Sequence, residues 1–360
     1  MAIDRADINQ CYRVLLGRDA EAAGMEHYLD LVEAKNITDI TEITQIIMQS
    51  EEFKIKMGTG LGHDGSGSPF FHYNSLFDGQ EIMRRHAAHD LIASPRHLTN
   101  FLGVRIDPEI YPPLLKGREG EIEAVPIPAN WHADIAEWAA ALRAVDLAGA
   151  TFRVVELGCG WGCWMLNTGC AARSMGKEVH LIGIEGDQAH VGMALKSMAV
   201  NGFTPNQYEI YHGIAANESG VALFPVANDA STQWGSAPIM GEGKLARRRA
   251  VATGKFIELP VVGLKEITDK FGNVDLLHID IQGGEFDFIQ SCMKVLKSKI
   301  AYILVGTHSR QIEGQIMALM LAEGWRLEIE RPALFNMNKT APHVAVDGVQ
   351  GWRNMILRPD

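Results

Sequence analysis

The stretch VVELGCGWGCW, residues 154–164, sets an apolar strand directly against three glycines at alternate positions, Gly158, Gly160 and Gly162. Glycine in such a turn lets the backbone come close to a ligand. Free amide groups at the start of the next helix favour a negative or strongly polar group there. A dinucleotide fingerprint, G-x-G-x-x-G, would need its third glycine at position 163, but that residue is Cys163 and the glycine falls one earlier. The pattern is therefore E-x-G-x-G-x-G, opened by Glu156. An acidic residue, Glu185, closes the following strand in LIGIEGD (181–187) and is placed to accept both hydroxyls of a ribose.

Outward from that turn, strand and helix alternate. Strands are expected at 151–157, 179–185, 208–213, 274–281 and 299–308, with helices at WHADIAEWAAALRAV, DQAHVGMALKSMAV, EFDFIQSCMKVL and RQIEGQIMALMLAEG. This order predicts an α/β fold, a Rossmann-like, doubly wound, mostly parallel sheet of seven strands. The last two strands, 325–330 and 351–358, have only a proline-bearing loop between them and suit an antiparallel hairpin at the sheet edge, so that the last strand is antiparallel. The main domain is expected over 131–360, with 70–130 as an extension packed on it.

Before these lies a different kind of sequence. Residues 1–57 alternate helical periodicity with short caps and read as a small all-helical module. The segment GTGLGHDGSGSP (58–69), rich in glycine and serine, reads as a linker. No apolar run reaches membrane-spanning length, and MAIDRADINQ lacks a signal-peptide pattern, so a cytoplasmic location without a membrane span is expected. The formal net charge of -11 argues against nucleic acid as a partner. The five cysteines, an odd and unevenly spaced set, predict reduced thiols.

With Glu156, Gly158, Gly160 and Gly162, the turn resembles the first motif of class I S-adenosylmethionine-dependent methyltransferases. VDLLHIDIQGGEFDFI (274–289) narrows the likeness to the FkbM-type methyltransferases, whose signature runs D-L-L-K-I-D-[IV]-E-G-x-E. Asp280, Gly283 and Glu285 match that signature, whereas His278 stands for its lysine and Gln282 for its glutamate. The resemblance also takes in 211–224 as a third cofactor segment and 258–267 as a strand leading to the signature. It implies S-adenosylmethionine as cofactor, S-adenosylhomocysteine as product, and O-methylation of a hydroxyl, often on a sugar or glycan. The cofactor residues it implies are Glu156, Gly158, Cys159, Gly160, Trp161, Gly162, Glu185, Gly186, Asp187, Gly213, Ile214 and Asp280. The first helices, with Y-x-x-L-L-G-R at Tyr12 to Arg18 and S-x-E-F at Ser50 to Phe53, are similar to a small domain related to phycobilisome linkers. That likeness implies a protein partner for the amino-terminal module.

An alcohol must lose its proton to accept a methyl group, which calls for a base. His278 and Asp280 sit two apart on one strand and project to the same side, and His308 ends the next strand. These three are the catalytic candidates, with His308 or Asp280 as base, His278 in support and Glu285 anchoring the turn. No dedicated metal-ligand set stands out, although the same carboxylate and imidazole groups suit a divalent cation that would acidify the acceptor. Two other readings of the chain remain open. One is a nicotinamide-dependent (NAD) oxidoreductase, since Glu185 serves either cofactor; the other is a non-catalytic cofactor-binding adaptor, since two signature positions depart. Cys159, Cys163 and Cys170 read as packing groups, and His86, His89 and Asp90 as a solvated helix face. Trp161 and Trp164 flank the cofactor or pack. Trp131 and His132 open a helix and either cap it or border the pocket. The basic GKLARRRA (243–250) reads as a solvated charge run or as a contact for an anionic acceptor.

Overall fold

The computed structural model describes residues 3–50, 52–53, 68–226, 234–337 and 342–360. It divides into two compact units, residues 1–72 and 73–360. The expected linker at 58–69 lies, apart from Ser68 and Pro69, outside the described residues.

The first unit holds α1 (Arg5–Leu16), α2 (Ala22–Lys35) and α3 (Ile40–Gln49). Asp4 caps α1 through the amides of Ala6 and Asp7, and Gly17 ends it in the left-handed conformation. Ile8, Cys11, Tyr12 and Leu16 recur at helical spacing and are buried, and Ile43 and Ile47 of α3 join them in one apolar core.

The second unit opens with β1 (Asn74–Ser75), α4 (Gly79–His86), a two-stranded pair of β2 (Leu98–Thr99) and β3 (Arg105–Ile106), and a single turn, α5 (Pro112–Leu115). Helix α4 packs on α6 (Ile135–Leu147). Then β4 (Thr151–Leu157), α7 (Cys163–Ser174), β5 (Glu178–Glu185), α8 (Gln188–Val200) and β6 (Tyr208–His212) alternate. After them come β7 (Ile214–Ala216), β8 (Gly220–Pro225), α9 (Lys244–Val251), β9 (Phe256–Gly263) and α10 (Leu264–Phe271). The chain continues through β10 (Leu276–Ile279), α11 (Glu285–Lys299), β11 (Tyr302–Thr307) and α12 (Arg310–Ala322). It closes with β12 (Arg326–Arg331), β13 (Leu334–Asn336), β14 (His343–Val346) and β15 (Gly348–Arg353).

The main sheet has the order β1-β12-β15-β11-β10-β4-β5-β6. Strands β11, β10, β4, β5 and β6 run parallel, and β15 is antiparallel to both its neighbours. Two expectations are corrected, the number of strands and the bounds of the last one. The sheet has eight strands, because the two-residue β1 from the extension pairs with β12. The last two long strands do pair antiparallel at that end of the sheet, with β15 beside β11 and β12 outside it, and the loop that connects them forms its own hairpin of β13 and β14. A strand is present within 258–267 as expected, β9, and it lies at the centre of a separate three-stranded sheet, β7-β9-β8. The final strand also starts earlier than expected, at Gly348, and ends at Arg353.

Alternation along β4 divides the core. Phe152 and Val154 face the cluster that includes α6 and α7, whereas Val155 and Leu157 face the cluster that includes α11 and α12. Glu156 shares its face with Phe152 and Val154. A fully buried pair, Arg331 and Asp134, ties the end of β12 to the N-cap of α6. In register, His278 lies opposite Glu156, and β11 lies beside β10, so the carboxyl ends of β4, β5, β10 and β11 form one edge.

Candidate active site

The glycine turn has the backbone its sequence requires. Gly158, Gly160 and Gly162 all take positive φ, 71°, 53° and 81°. A Cβ on Gly158 would lie 2.3 Å from the backbone oxygen of Asp280, so only glycine lets the turn pass this close to the end of β10. Gly162 is the N-cap of α7. Glu156 reaches the start of that helix and accepts from the amides of Trp164 (3.1 Å) and Met165 (2.9 Å). Burial above all pushes its carboxyl up to about 8. Glu185 accepts from the Gly160 amide and from the Asp187 amide, both at 2.8 Å, so the turn and the second strand end hold each other. Each carboxylate oxygen can still accept a further hydroxyl.

A cavity of about 810 Å³ opens over this edge, large for a small-molecule site. Of the residues expected to hold a cofactor, Glu156, Gly158, Cys159, Gly160, Trp161, Glu185, Gly186, Asp187, Gly213, Ile214 and Asp280 line it. Gly162 does not: its role is to start the helix behind the turn. Trp131 and His132 line the cavity too, and precede α6 rather than open it, since Asp134 is the N-cap. Trp131 stacks on Trp161 with ring centres 6.1 Å apart.

Of the catalytic candidates, two come together. His308 Nε2 lies 3.3 Å from Asp280 Oδ1, and His308 Nδ1 lies 2.9 Å from Glu285 Oε1. Asp347 Oδ2 is 3.8 Å from the same Nε2. Burial alone would lower the His308 pKa, but Glu285, Asp280 and Asp347 together raise it to about 9. Enclosure by the cavity walls, which desolvates the carboxyl although it still faces the open cavity, is the main cause that lifts Asp280 to about 6, with His308 acting against it. For Glu285, burial is outweighed by His308 and the Gly283 amide, which hold its carboxyl below the usual value. Asp280 lines the cavity, and His308 stands behind it.

His278 is not a member of that group. It is buried, 3.9 Å from Glu156 Oε1 and against the Trp164 ring, and burial followed by His132 pushes its pKa down to about 3. The imidazole is neutral and belongs to the cavity floor. Gln282, at the other departing position, takes φ 59° and donates to Asp280 Oδ1 at 3.3 Å.

Cys163 packs its thiol against His132 Nε2 and Asn167, and burial pushes the thiols of Cys159 and Cys163 well above their ordinary range, which leaves them unreactive. All five cysteines are free. The expected solvated face of His86, His89 and Asp90 is corrected: α4 ends at His86, whose buried ring bonds Asp146 at 2.8 Å, and the other two lie beyond the helix. The basic run forms α9, none of whose residues is buried. Sequence reasoning missed Tyr111, His190, Phe224 and Trp234, which also line the cavity. Trp234 stacks on His190 at 4.1 Å. His190 comes from α8 and Phe224 from β8, whereas Tyr111 and Trp234 lie outside helices and strands, and no local pattern ties these four distant segments together.

Residues 148–331 match the family model described as methyltransferase FkbM domain. A relative from Jannaschia sp. (strain CCS1), named "Putative methyltransferase", is 43% identical over 275 residues, which cover 76% of this chain and 98% of the relative. Among solved structures, methyltransferase FkbM from Methylobacillus flagellatus KT is 9% identical, with a TM-score of 0.38, over 61% of this chain and 54% of that one. TrmK of M. capricolum, solved with S-adenosyl-homocysteine, is 10% identical, with a TM-score of 0.30, over 59% of this chain and 67% of that one. At those scores the structural likeness adds nothing to the functional reading. The family match and the Jannaschia relative suffice: the chain belongs to the FkbM methyltransferase family.

Proposed function

We propose that this methyltransferase uses S-adenosylmethionine to methylate a hydroxyl of a sugar or glycan. The observation that carries the proposal is that the glycine turn touches both ends of the required chemistry. Its Gly160 amide is bonded to Glu185, and its Gly158 packs against the backbone of Asp280. The residues fit the cofactor: Glu185 has acceptor capacity left for the ribose hydroxyls, and Gly186, Asp187, Gly213 and Ile214 give the wall beyond it. Glu156 and the turn suit the cationic amino-acid end.

The bound cofactor supplies an electrophilic methyl group whose sulfur leaves as a neutral thioether. This chain's own residues align the acceptor and take its proton, and alignment accounts for most of such a rate enhancement. Asp280 is the base on geometric grounds, because it reaches the cavity, with His308 as its positioning partner. The acceptor class is supported by Tyr111, Trp131, Trp161 and Trp234, whose flat apolar faces carry a polar handle and suit a ring that is apolar on its face and hydroxylated at its rim. The helical first unit is read as a docking module for a protein partner, and the working location as the cytoplasm; among the described residues no helix is long and apolar enough to cross a membrane.

The test is conversion of S-adenosylmethionine to S-adenosylhomocysteine by the full chain with a panel of glycans, followed by mass spectrometry. Asp280→Asn should lower kcat by about 10²–10⁴-fold. Cofactor binding without turnover on any glycan would favour the adaptor reading instead, and unchanged turnover in Asp280→Asn would remove that residue as base.

A further inference from the structure

We propose that Asp280, Glu285 and His308 form a binding site for one divalent cation of the Mn²⁺ or Mg²⁺ class, at the carboxyl ends of β10 and β11. One ligand atom from each residue lies within 4.8 Å of the other two. Ligands around such a cation, at about 2.0–2.3 Å from it, stand roughly 3–4.5 Å from one another. The spacing therefore needs only small side-chain adjustment. Two carboxylates and one imidazole are the mixed oxygen and nitrogen set that these ions accept.

Three observations separate this cluster from an ordinary ion pair. First, Glu285 is fully buried, and its Oε2 has no hydrogen-bond partner, while Oε1 accepts from the amides of Ile281 and Gly283 at 3.2 and 2.9 Å. A closed glutamate–histidine pair would not leave a buried carboxylate oxygen unanswered. Second, both ring nitrogens of His308 are shielded from solvent, and neither meets hydrogen-bond geometry, although carboxylates face each one at 2.9 and 3.3 Å. Third, Asp347 adds another carboxylate 3.8 Å from His308 Nε2, and among the described residues no lysine or arginine forms an ion pair with the carboxylate of Asp280, Glu285 or Asp347, although Arg331 donates to the Asp347 backbone carbonyl. Three carboxylates thus face one imidazole. A cation has a way in, because the Asp280 side chain is 45% exposed and lines the cavity.

What the ion does rests on the reading of the cavity as a methyl-transfer site; that it binds does not. There it would take the acceptor hydroxyl as a ligand and lower its pKa. The proton leaves for the Asp280 oxygen not engaged by the ion, and the O–CH₃ bond forms as the S–CH₃ bond breaks.

The test uses the full chain, stripped with EDTA and titrated with MnCl₂, following the electron paramagnetic resonance signal of free Mn²⁺. One ion per chain is expected, with binding weakened at least tenfold in His308→Ala and in Asp280→Asn. Circular dichroism and melting establish that each variant is folded. If His308→Ala fails to fold, Asp280→Asn, altered at a half-exposed side chain, carries the test. No uptake by the folded wild type, or unchanged affinity in both variants, overturns the site. Turnover undiminished in EDTA, together with no uptake, overturns the cation and leaves methyl transfer standing. Uptake that the variants lose, in a chain that binds no S-adenosylmethionine, upholds the site and overturns the methyl-transfer reading.

Discussion

Glu156 joins the fold to the cofactor. Its carboxylate starts α7 by accepting two backbone amides, yet burial raises it to about 8, so below that pH it carries a proton. A cationic ligand favours the ionised form, and its binding must then release a proton. Affinity for S-adenosylmethionine is therefore expected to rise with pH up to about 8 and to level off above it. Calorimetry in buffers of different ionisation enthalpy would detect the released proton, and Glu156→Gln should flatten the pH dependence. Residues of this kind were legible because their signals are local: an acid, three alternating glycines and a second acid at the next strand end. His278 was less so. Strand parity puts it on the side of Asp280, but it carried no information that Glu156 and Trp164 would enclose the ring. Glu285 matched the signature, whereas its contact with His308 depends on how α11 meets the end of β11, which no local pattern encodes.

At the level of elements, the close approach of two strand ends makes a sharp comparison possible. Gly158→Ala must accept both a left-handed backbone and a Cβ 2.3 Å from the Asp280 carbonyl oxygen. Gly176→Ala, just after α7, has φ 75° but nothing within 4 Å of its Cβ. The second change should cost about 1–2 kcal/mol, the strain alone. The first should cost clearly more and remove cofactor binding. Denaturant melts of the two variants check this, and equal losses would mean that the turn and β10 are not in contact. The alternation of strands and helices was readable from hydrophobic period and length. The place of β15 was not, because a strand's neighbours are chosen by the whole sheet, and a two-residue strand such as β1 is too short to show any period.

On the scale of the whole molecule, each unit has its own apolar core, which predicts two separable unfolding transitions. Ile43, completely buried in α3, is the probe. Ile43→Ala should lower the first unit's stability by about 2–5 kcal/mol and leave the other calorimetric transition in place; a single transition that shifts as one would contradict this. The helical character of the first unit was legible in its caps and spacing, and the acceptor was not, because the walls of the cavity are gathered from segments far apart in sequence. The central claim, that the edge formed by β4, β5 and β10 holds S-adenosylmethionine, is tested most directly by titration calorimetry. The wild-type chain is titrated with S-adenosylmethionine and, separately, with NAD, and Glu185→Ala is titrated alongside. The account predicts one site for S-adenosylmethionine and none for NAD. Loss of a charged hydrogen-bond acceptor, worth about 1.5–3 kcal/mol, should weaken binding at least tenfold in the variant. Binding of NAD in place of S-adenosylmethionine, or equal affinity in wild type and variant, would contradict it.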